Sequence, residues 1–498
     1  MTERAPVDDS GLGESIASDM GAVAIRGGAI RVLGYLTGVL VSLGAASILV
    51  RHLGIAAFGR YVTVISLVTL VGGVTEAGIA VYGIREFGAR ADAERRQLLA
   101  DLLGMRLTLT FVGVVCAVGF GLAVGYGRVL VIGTVVAGAG LLVQVVADVL
   151  GIPLQSQLRL GRLTFVDLLR RVLALALIAA LALAGASLLA FLAVTPIAGI
   201  GALCVLAWMV RASVAVRASW SWRRWRALFA DTLPFALAIS IGAIYFYVTV
   251  IVMSLIASAL QTGYFATSFR VTQVALGIPA LALTAIFPLL TSRREPGEPD
   301  VGAKLGRVFD VAVIFGVWMS LAMALGASAI LDVVAGARGH GAIGVLRIQG
   351  LVLTAAFVSA ASMFGLLALR RYRPMLIASS CALLLNVALG LALIPGHGAR
   401  GGAIADVVTE IAVAAWLTAS FVRLVPQHTI DPRVLAPVAL AGALAAATAL
   451  LPGGPVVHVI LATGVYFGVL LVSGAIPAEV TDAARRLRGR QGSRRESA

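Results

Sequence analysis

A chain of 498 residues that is 60% hydrophobic and only 13% charged, with a mean hydropathy of +1.00, lies far outside the soluble norm of about 25% charged residues. The formal charge of +15 is almost wholly guanidinium, because Lys304 is the one lysine among 39 basic residues. These arginines flank turns between apolar runs instead of forming one stripe, so the composition excludes both a soluble domain and a nucleic-acid surface.

Residues 1–27 read as a cytoplasmic N-terminal tail, since the polar start with Asp8, Asp9, Glu14 and Asp19 lacks the basic opening and small-residue cleavage site of a signal peptide. A spanning helix needs about 20 apolar residues, and about fourteen such segments follow. They cover approximately 28–50, 61–84, 102–124, 129–152, 165–185, 187–210, 232–256, 263–290, 308–330, 343–367, 374–394, 400–422, 434–451 and 456–476. The fifth and sixth share one apolar run, divided at the tight-turn sequence Gly185-Ala186-Ser187. Period-2 alternation is absent, so an all-α polytopic membrane protein is expected, not a barrel.

Even-numbered connectors carry most of the arginines. Arg85, Arg90, Arg95 and Arg96 fall in the second, Arg211, Arg217, Arg223, Arg224 and Arg226 in the sixth, and Arg370, Arg371 and Arg373 in the tenth. Odd-numbered connectors hold only Arg51 and Arg60, Arg128, Arg338 and Arg400. Positive-inside charge therefore places both termini in the cytoplasm of a multi-pass protein of the cell membrane, which requires an even number of crossings. The segment Ser219–Asp231, with Trp220, Trp222 and Trp225 among arginines, reads as an interfacial amphipathic stretch and as a linker between two halves. The expected division is an N-lobe over 28–225, a C-lobe over 226–425, an extra helix pair over 426–477 and a basic cytoplasmic tail over 478–498.

An internal echo supports two halves. Around the first outer turn the chain reads Arg51-His-Leu-Gly54, then Phe58-Gly59-Arg60-Tyr61; about two hundred residues later it reads Thr262-Gly263-Tyr264-Phe265. Each is an apolar helix end, a small-residue turn and a Gly beside an aromatic. With Ile278-Pro279, Phe287-Pro288 and the turn Ile394-Pro395-Gly396-His-Gly398-Ala-Arg-Gly401-Gly402-Ala403, these segments resemble the polysaccharide-exporter and lipid-linked oligosaccharide flippase branch of the multidrug/oligosaccharidyl-lipid/polysaccharide superfamily. The resemblance covers nearly the whole chain. It implies two six-helix lobes plus a C-terminal pair, rocking about a central site. In similar proteins helix seven often carries an Arg or Lys and an Asp where this chain has Tyr247 and Thr249.

No hydrolytic or metal constellation emerges, and no cofactor and no enzymatic activity are expected. His52, His340, His397, His428 and His458 are scattered, Gly336–Gly344 lacks the Gly-Lys-Ser/Thr ending of a phosphate loop, and Cys116, Cys204 and Cys381 read as helix-packing residues. Ionisable groups within spans are more telling, because each costs about 2.5–3.5 kcal/mol at a helix centre on insertion scales and so faces a cavity or a partner. Glu76 lies in the second span, Gln144 and Asp148 share a face of the fourth, Arg270 and Gln273 a face of the eighth, and Asp406 and Glu410 a face of the twelfth. Asn386 sits in the eleventh. Arg26, Arg106, Arg170, Arg171 and Asp310 are close enough to cytoplasmic ends to snorkel to the interface, and Arg31 is balanced between the two readings. Pro279 and Pro288 interrupt the eighth span, Pro234 begins the seventh, and Tyr245, Tyr247 and Tyr264 offer rings for packing or for sugar stacking.

The resemblance implies a flippase for a polyprenyl-diphosphate-linked oligosaccharide in cell-surface polysaccharide biosynthesis. Arg31 and Arg270 are then candidates for the anion, with Gln273, Gln144 and Asn386 for polar contacts. Glu76, Asp148, Asp406 and Glu410 are candidates for coupling to a proton or sodium ion. The expected partners are the lipid-linked sugar, membrane lipids and polysaccharide-assembly proteins. An ion-coupled exporter of organic cations on the same fold is the alternative, and a cavity dominated by carboxylates without a free Arg would favour it. A membrane-embedded glycosyl transferase is a third class, and the chain lacks the large outer loop such enzymes usually carry.

Overall fold

The computed structural model describes residues 37–76, 78–157, 159–211, 218–291, 301–369, 371–424 and 432–475. Among them there is no strand, as a bilayer demands of a chain that must satisfy its backbone hydrogen bonds within each segment. The helices are α1 (Thr37–Leu53), α2 (Ile55–Glu76), α3 (Ile79–Ala89), α4 (Asp92–Ala123), α5 (Arg128–Ser156), α6 (Leu160–Leu183) and α7 (Leu188–Val210). There follow α8 (Trp222–Ile256), α9 (Ala259–Thr291), α10 (Val301–Ala335), a 3-10 turn (Gly336–Ala342), α11 (Ile343–Gly350), α12 (Val352–Ala368), α13 (Arg373–His397) and α14 (Ala399–Leu424). The chain closes with α15 (Pro432–Ala447) and α16 (Pro455–Val472). Within the described residues each predicted span coincides with a helix or a broken pair; residues 28–36 of the first lie outside them. The second divides into α2 and α3 around Gly78, whose φ of 74° favours glycine, and the tenth into α11 and α12.

Eight stretches are long and apolar enough to cross a membrane by length and composition, with shorter apolar helices at Thr37–Leu53, Ser240–Ile256 and Val434–Leu450. Two six-helix lobes and a C-terminal pair result. Within the first lobe α5 packs on α4, α7 and α2, and α6 on α7; within the second α13 packs on α14 and α8, and α12 on α10 and α14. The lobes meet where α2 lies against α8 and α9. α15 and α16 pair with each other and lean on α10, where the Tyr466 hydroxyl, fully buried, donates to the Ile314 carbonyl at 2.8 Å.

Small residues set the closest approach between the lobes, as they do where lipid supplies no hydrophobic driving force for helix association. A Cβ on Gly59 of α2 would stand 2.7 Å from the Gly263 nitrogen of α9, and one on Gly263 would collide with the Ile55 carbonyl. The two glycines of the internal echo thus face each other across the interface. Around them Leu49, Val50, Phe58, Phe265 and Ala266 form one buried core drawn from both lobes. Beside it Arg51 donates to the carbonyls of Asp332 and Val333 at 3.0 and 2.7 Å, and Ser47 to that of Val333 at 3.1 Å. The end of the bundle bearing the α1–α2 turn is therefore shut.

Several expectations need correction. α9 runs unbroken through Pro279 and Pro288, and Pro234 lies well inside α8. The Trp-rich segment is the start of α8: Trp220 and Trp222 are exposed, but Trp225 is buried against Leu98, Leu99 and Leu102, and the Arg224 guanidinium meets the Asp101 carboxylate at 2.8 Å. Cys116, Cys204 and Cys381 are exposed on outer helix faces and do not pack between helices.

Candidate functional site

Three helices of the first lobe, α1, α2 and α6, together with α8 and α9 of the second, enclose a cavity of about 190 Å³ between the lobes. Its polar lining comprises Ser42, Ser66, Thr69, Tyr61, Tyr247, Gln273 and two guanidinium groups, Arg171 from α6 and Arg270 from α9. No carboxylate among the described residues lines it. Arg270 donates to the Gln273 amide oxygen at 2.7 Å, one turn along the same helix, and the Gln273 amide nitrogen donates to the Tyr247 hydroxyl at 3.0 Å. Arg171 donates to the Gly38 carbonyl at 3.2 Å and the Ser42 hydroxyl at 3.1 Å, tying α6 to α1. A guanidinium has five N–H donors, so Arg270, which bonds only Gln273 and has no carboxylate partner among the described residues, keeps most of its donors for a ligand. Phe58, Phe269 and Ile178 wall the shut end.

The structure brings Arg270, Gln273 and Tyr247 together and adds Arg171, which the sequence places near a cytoplasmic end and so assigns to the interface. Arg31 lies outside the described residues, as does Arg26. Gln144 and Asp148 are not in the cavity. They belong to a network inside the first lobe, where Asp148 pairs with Arg106 at 3.2 Å, accepts from Gln144 at 2.7 Å, and Gln144 in turn accepts from Arg170. Arg106 is 3% exposed, so it does not snorkel; the low-dielectric site holds it only because Asp148 answers its charge. Glu76 is exposed at the end of α2 and lines neither this cavity nor the network, because the helix stops there.

Asn386 lies instead within the second lobe, 1% exposed, in a polar cluster around Asp406. Thr249 lies 2.6 Å from one Asp406 oxygen and 2.8 Å from the Asn386 amide oxygen. The Asn386 nitrogen donates to the same carboxylate at 3.2 Å, and Gln349 to its other oxygen at 3.4 Å. One turn further along α14, Glu410 accepts from the Tyr245 hydroxyl at 2.7 Å. Neither carboxylate has a cationic partner among the described residues. Thr249 of the seventh span is thus set directly against the Asp406 carboxylate of the twelfth.

A second, wholly apolar groove of about 680 Å³ runs between α9, α10, α12 and α16, lined among others by Ile278, Phe315, Trp318, Phe357, Val456 and Val459. Ile278 is eight residues beyond Arg270 on α9, about 12 Å along the helix at 1.5 Å per residue. One helix thus carries a cationic cavity on one stretch and an oily groove on the next.

A sequence family described as "Polysaccharide biosynthesis protein" matches residues 24–293, just over half of the chain. The chain belongs to that family. No curated protein matches it. Among solved structures, the lipid II flippase MurJ in an inward closed conformation superposes with a TM-score of 0.73 at 11% identity, covering 90% of this chain and 98% of that one. A multidrug resistance MATE transporter of the MOP superfamily, inward-facing, gives 0.59 at 14% identity over 81% and 100%. A MOP superfamily transporter from Pyrococcus furiosus, whose binding pocket is described as reversed in polarity, gives 0.53 at 15% over 80% and 96%. At such identities the likeness establishes the fold. This member of the polysaccharide biosynthesis family has the MurJ and MATE architecture, with Arg171 and Arg270 in the interlobe cavity and Asp406 and Glu410 in a separate cluster of the second lobe.

Proposed function

We propose that this protein flips a polyprenyl-diphosphate-linked oligosaccharide across the cell membrane for cell-surface polysaccharide biosynthesis, by alternating access between its two lobes. The observation that carries the reading is the pair Arg171 and Arg270, one from each lobe, facing a shared cavity that no carboxylate of the described residues lines. A diphosphate has the charge and oxygens to bridge two guanidinium groups, whereas an organic cation would be repelled. Gln273, Tyr247 and Ser42 supply neutral hydrogen bonds suited to sugar hydroxyls, and the groove reached along α9 suits an isoprenoid chain. Both termini are cytoplasmic on the positive-inside reading, which makes the shut end the extracytoplasmic one. The substrate then enters the cavity from the cytoplasmic side.

The alternative of an organic-cation exporter required carboxylates in the cavity, and those of the second lobe are turned away from it around Thr249, Asn386 and Tyr245. Asp406 and Glu410, half-buried without a cationic partner among the described residues, are instead suited to take up the coupling proton or sodium ion. The test is reconstitution into liposomes with a fluorescent lipid-linked sugar on one leaflet. Arg270→Ala and Arg171→Ala each lower translocation about 10- to 100-fold, the scale of one or two hydrogen bonds to a charged group. Unchanged translocation in both variants overturns the site, and extrusion of an organic cation with no movement of lipid-linked sugar overturns the function.

A further inference from the structure

Five arginines sit in odd-numbered connectors, where positive-inside charge gives no reason for them. Three have partners: Arg51 binds the Asp332 and Val333 carbonyls and Arg338 donates to the Arg51 carbonyl at 3.4 Å, both across the lobe closure, and the Arg400 guanidinium lies against Gly344 within the second lobe. The other two, Arg60 of α2 and Arg128 at the start of α5, have no hydrogen-bond or ion-pair partner among the described residues, and both line one crevice of about 390 Å³. Its remaining walls include Thr63, Tyr126, Ser254 and Thr262, so it is built from both lobes, and again no carboxylate among the described residues lines it. The Tyr126 hydroxyl lies 2.5 Å from the Ser254 hydroxyl, bridging the α4–α5 turn to α8. Burial raises the Tyr126 phenol above its ordinary value, so it remains neutral and adds no negative charge.

Position gives the crevice its meaning. Arg60 and Thr262 each adjoin one of the two glycines that close the lobes, Gly59 and Gly263. On α2, Tyr61 and Ser66 face the central cavity while Arg60 and Thr63 face the crevice, so the two compartments are separated by a single helix and the glycine contact. A third basic pocket, formed by Arg371, Arg373 and Arg423 at the other end, is what positive-inside charge already explains.

We propose that Arg60 and Arg128 form a second anion site, immediately beyond the closure, for the phosphate or diphosphate of a membrane-anchored lipid on the outer side. The inference rests on the flippase reading for its direction, since it gives the headgroup a cationic station to reach as the glycine contact opens. Two guanidiniums attract a diphosphate strongly at this depth, and the exposed setting lets water compete and release it.

Native mass spectrometry of the full-length protein in detergent tests this, with farnesyl diphosphate and, separately, phosphatidylglycerol as probes. The wild type binds farnesyl diphosphate in two events. Arg60→Gln with Arg128→Gln weakens one of them about 10-fold or more, Arg60→Lys with Arg128→Lys restores most of it, and Arg85→Gln, which removes charge at the opposite end, changes neither. Loss confined to farnesyl diphosphate identifies the transported lipid as the ligand, and a parallel loss of phosphatidylglycerol identifies any phosphate headgroup of the outer leaflet. A folded double Gln variant, judged by its melting temperature, that titrates both probes like the wild type overturns the proposal. Arg270→Gln removes the other event; if it removes none, the central site fails while the outer one stands.

Discussion

At the residue scale, what matters is how each buried charge is answered. Arg106 and Asp148 answer each other within the first lobe, and Asp148→Ala leaves a guanidinium that is almost wholly enclosed. That variant should lose about 3 kcal/mol of stability, the lower end for a broken buried pair because the carboxylate side is one-third exposed. Thermal unfolding in detergent measures it, and a loss below about 1 kcal/mol would place the pair with ordinary surface bridges. Asp406 poses the opposite case, a carboxylate answered only by neutral donors. Asp406→Asn keeps its shape and removes its charge, so translocation should become independent of an imposed proton or sodium gradient while binding of lipid-linked sugar persists. Retained gradient dependence in the reconstituted variant argues against coupling through Asp406. That Arg270 faces a polar cavity was legible from sequence, because its depth left no route to the interface. The same for Arg171 was not, since its sequence position allows snorkelling and only the packing of α6 on α1 turns it into the cavity.

At the element scale, α2 and α9 act as the meeting surfaces of the lobes. Their glycine contact is backbone against backbone, which no side-chain rotation can relieve. Gly59→Val should therefore hold the lobes apart at the shut end and leave each lobe folded. A cysteine at Ser42, in the central cavity, should then react with a membrane-impermeant maleimide from the outer side about tenfold faster, equivalent to a shift of about 1.4 kcal/mol in the conformational balance. An unaltered labelling rate means that the contact is not a closure. The echo that placed glycines at both positions was visible in the sequence. That its two copies touch was not, because a short repeat fixes local geometry and says nothing of where the second copy docks.

At the scale of the whole molecule, charge and oil are partitioned along one helix, with Arg270 in the interlobe cavity and Ile278 in the groove shared with α10, α12 and α16. A lipid-linked anion has the same partition. Val459→Trp, which fills the groove from α16, should slow translocation of long-chain substrates about tenfold, since each buried CH₂ is worth about 0.8 kcal/mol and only two such groups need be displaced. Analogues with a two-isoprene chain should be unaffected. Equal slowing of both in the liposome assay removes the groove from the transport path.

The sequence by itself determined the membrane class, the order of the helical segments and the two-lobe plan, because a bilayer imposes its requirements on each segment separately: length, apolarity and internally satisfied backbone. Depth along a span was legible for Arg270 for the same reason, though not for Glu76, where α2 stops short of the expected span. Which neighbour a polar residue faces was not, since these helices are apolar on nearly every side and leave no stripe to show which face meets a neighbour. Only tertiary packing could decide that Gln144 joins Asp148, that Asn386 joins Asp406, and that Arg171 joins Arg270 across the lobes.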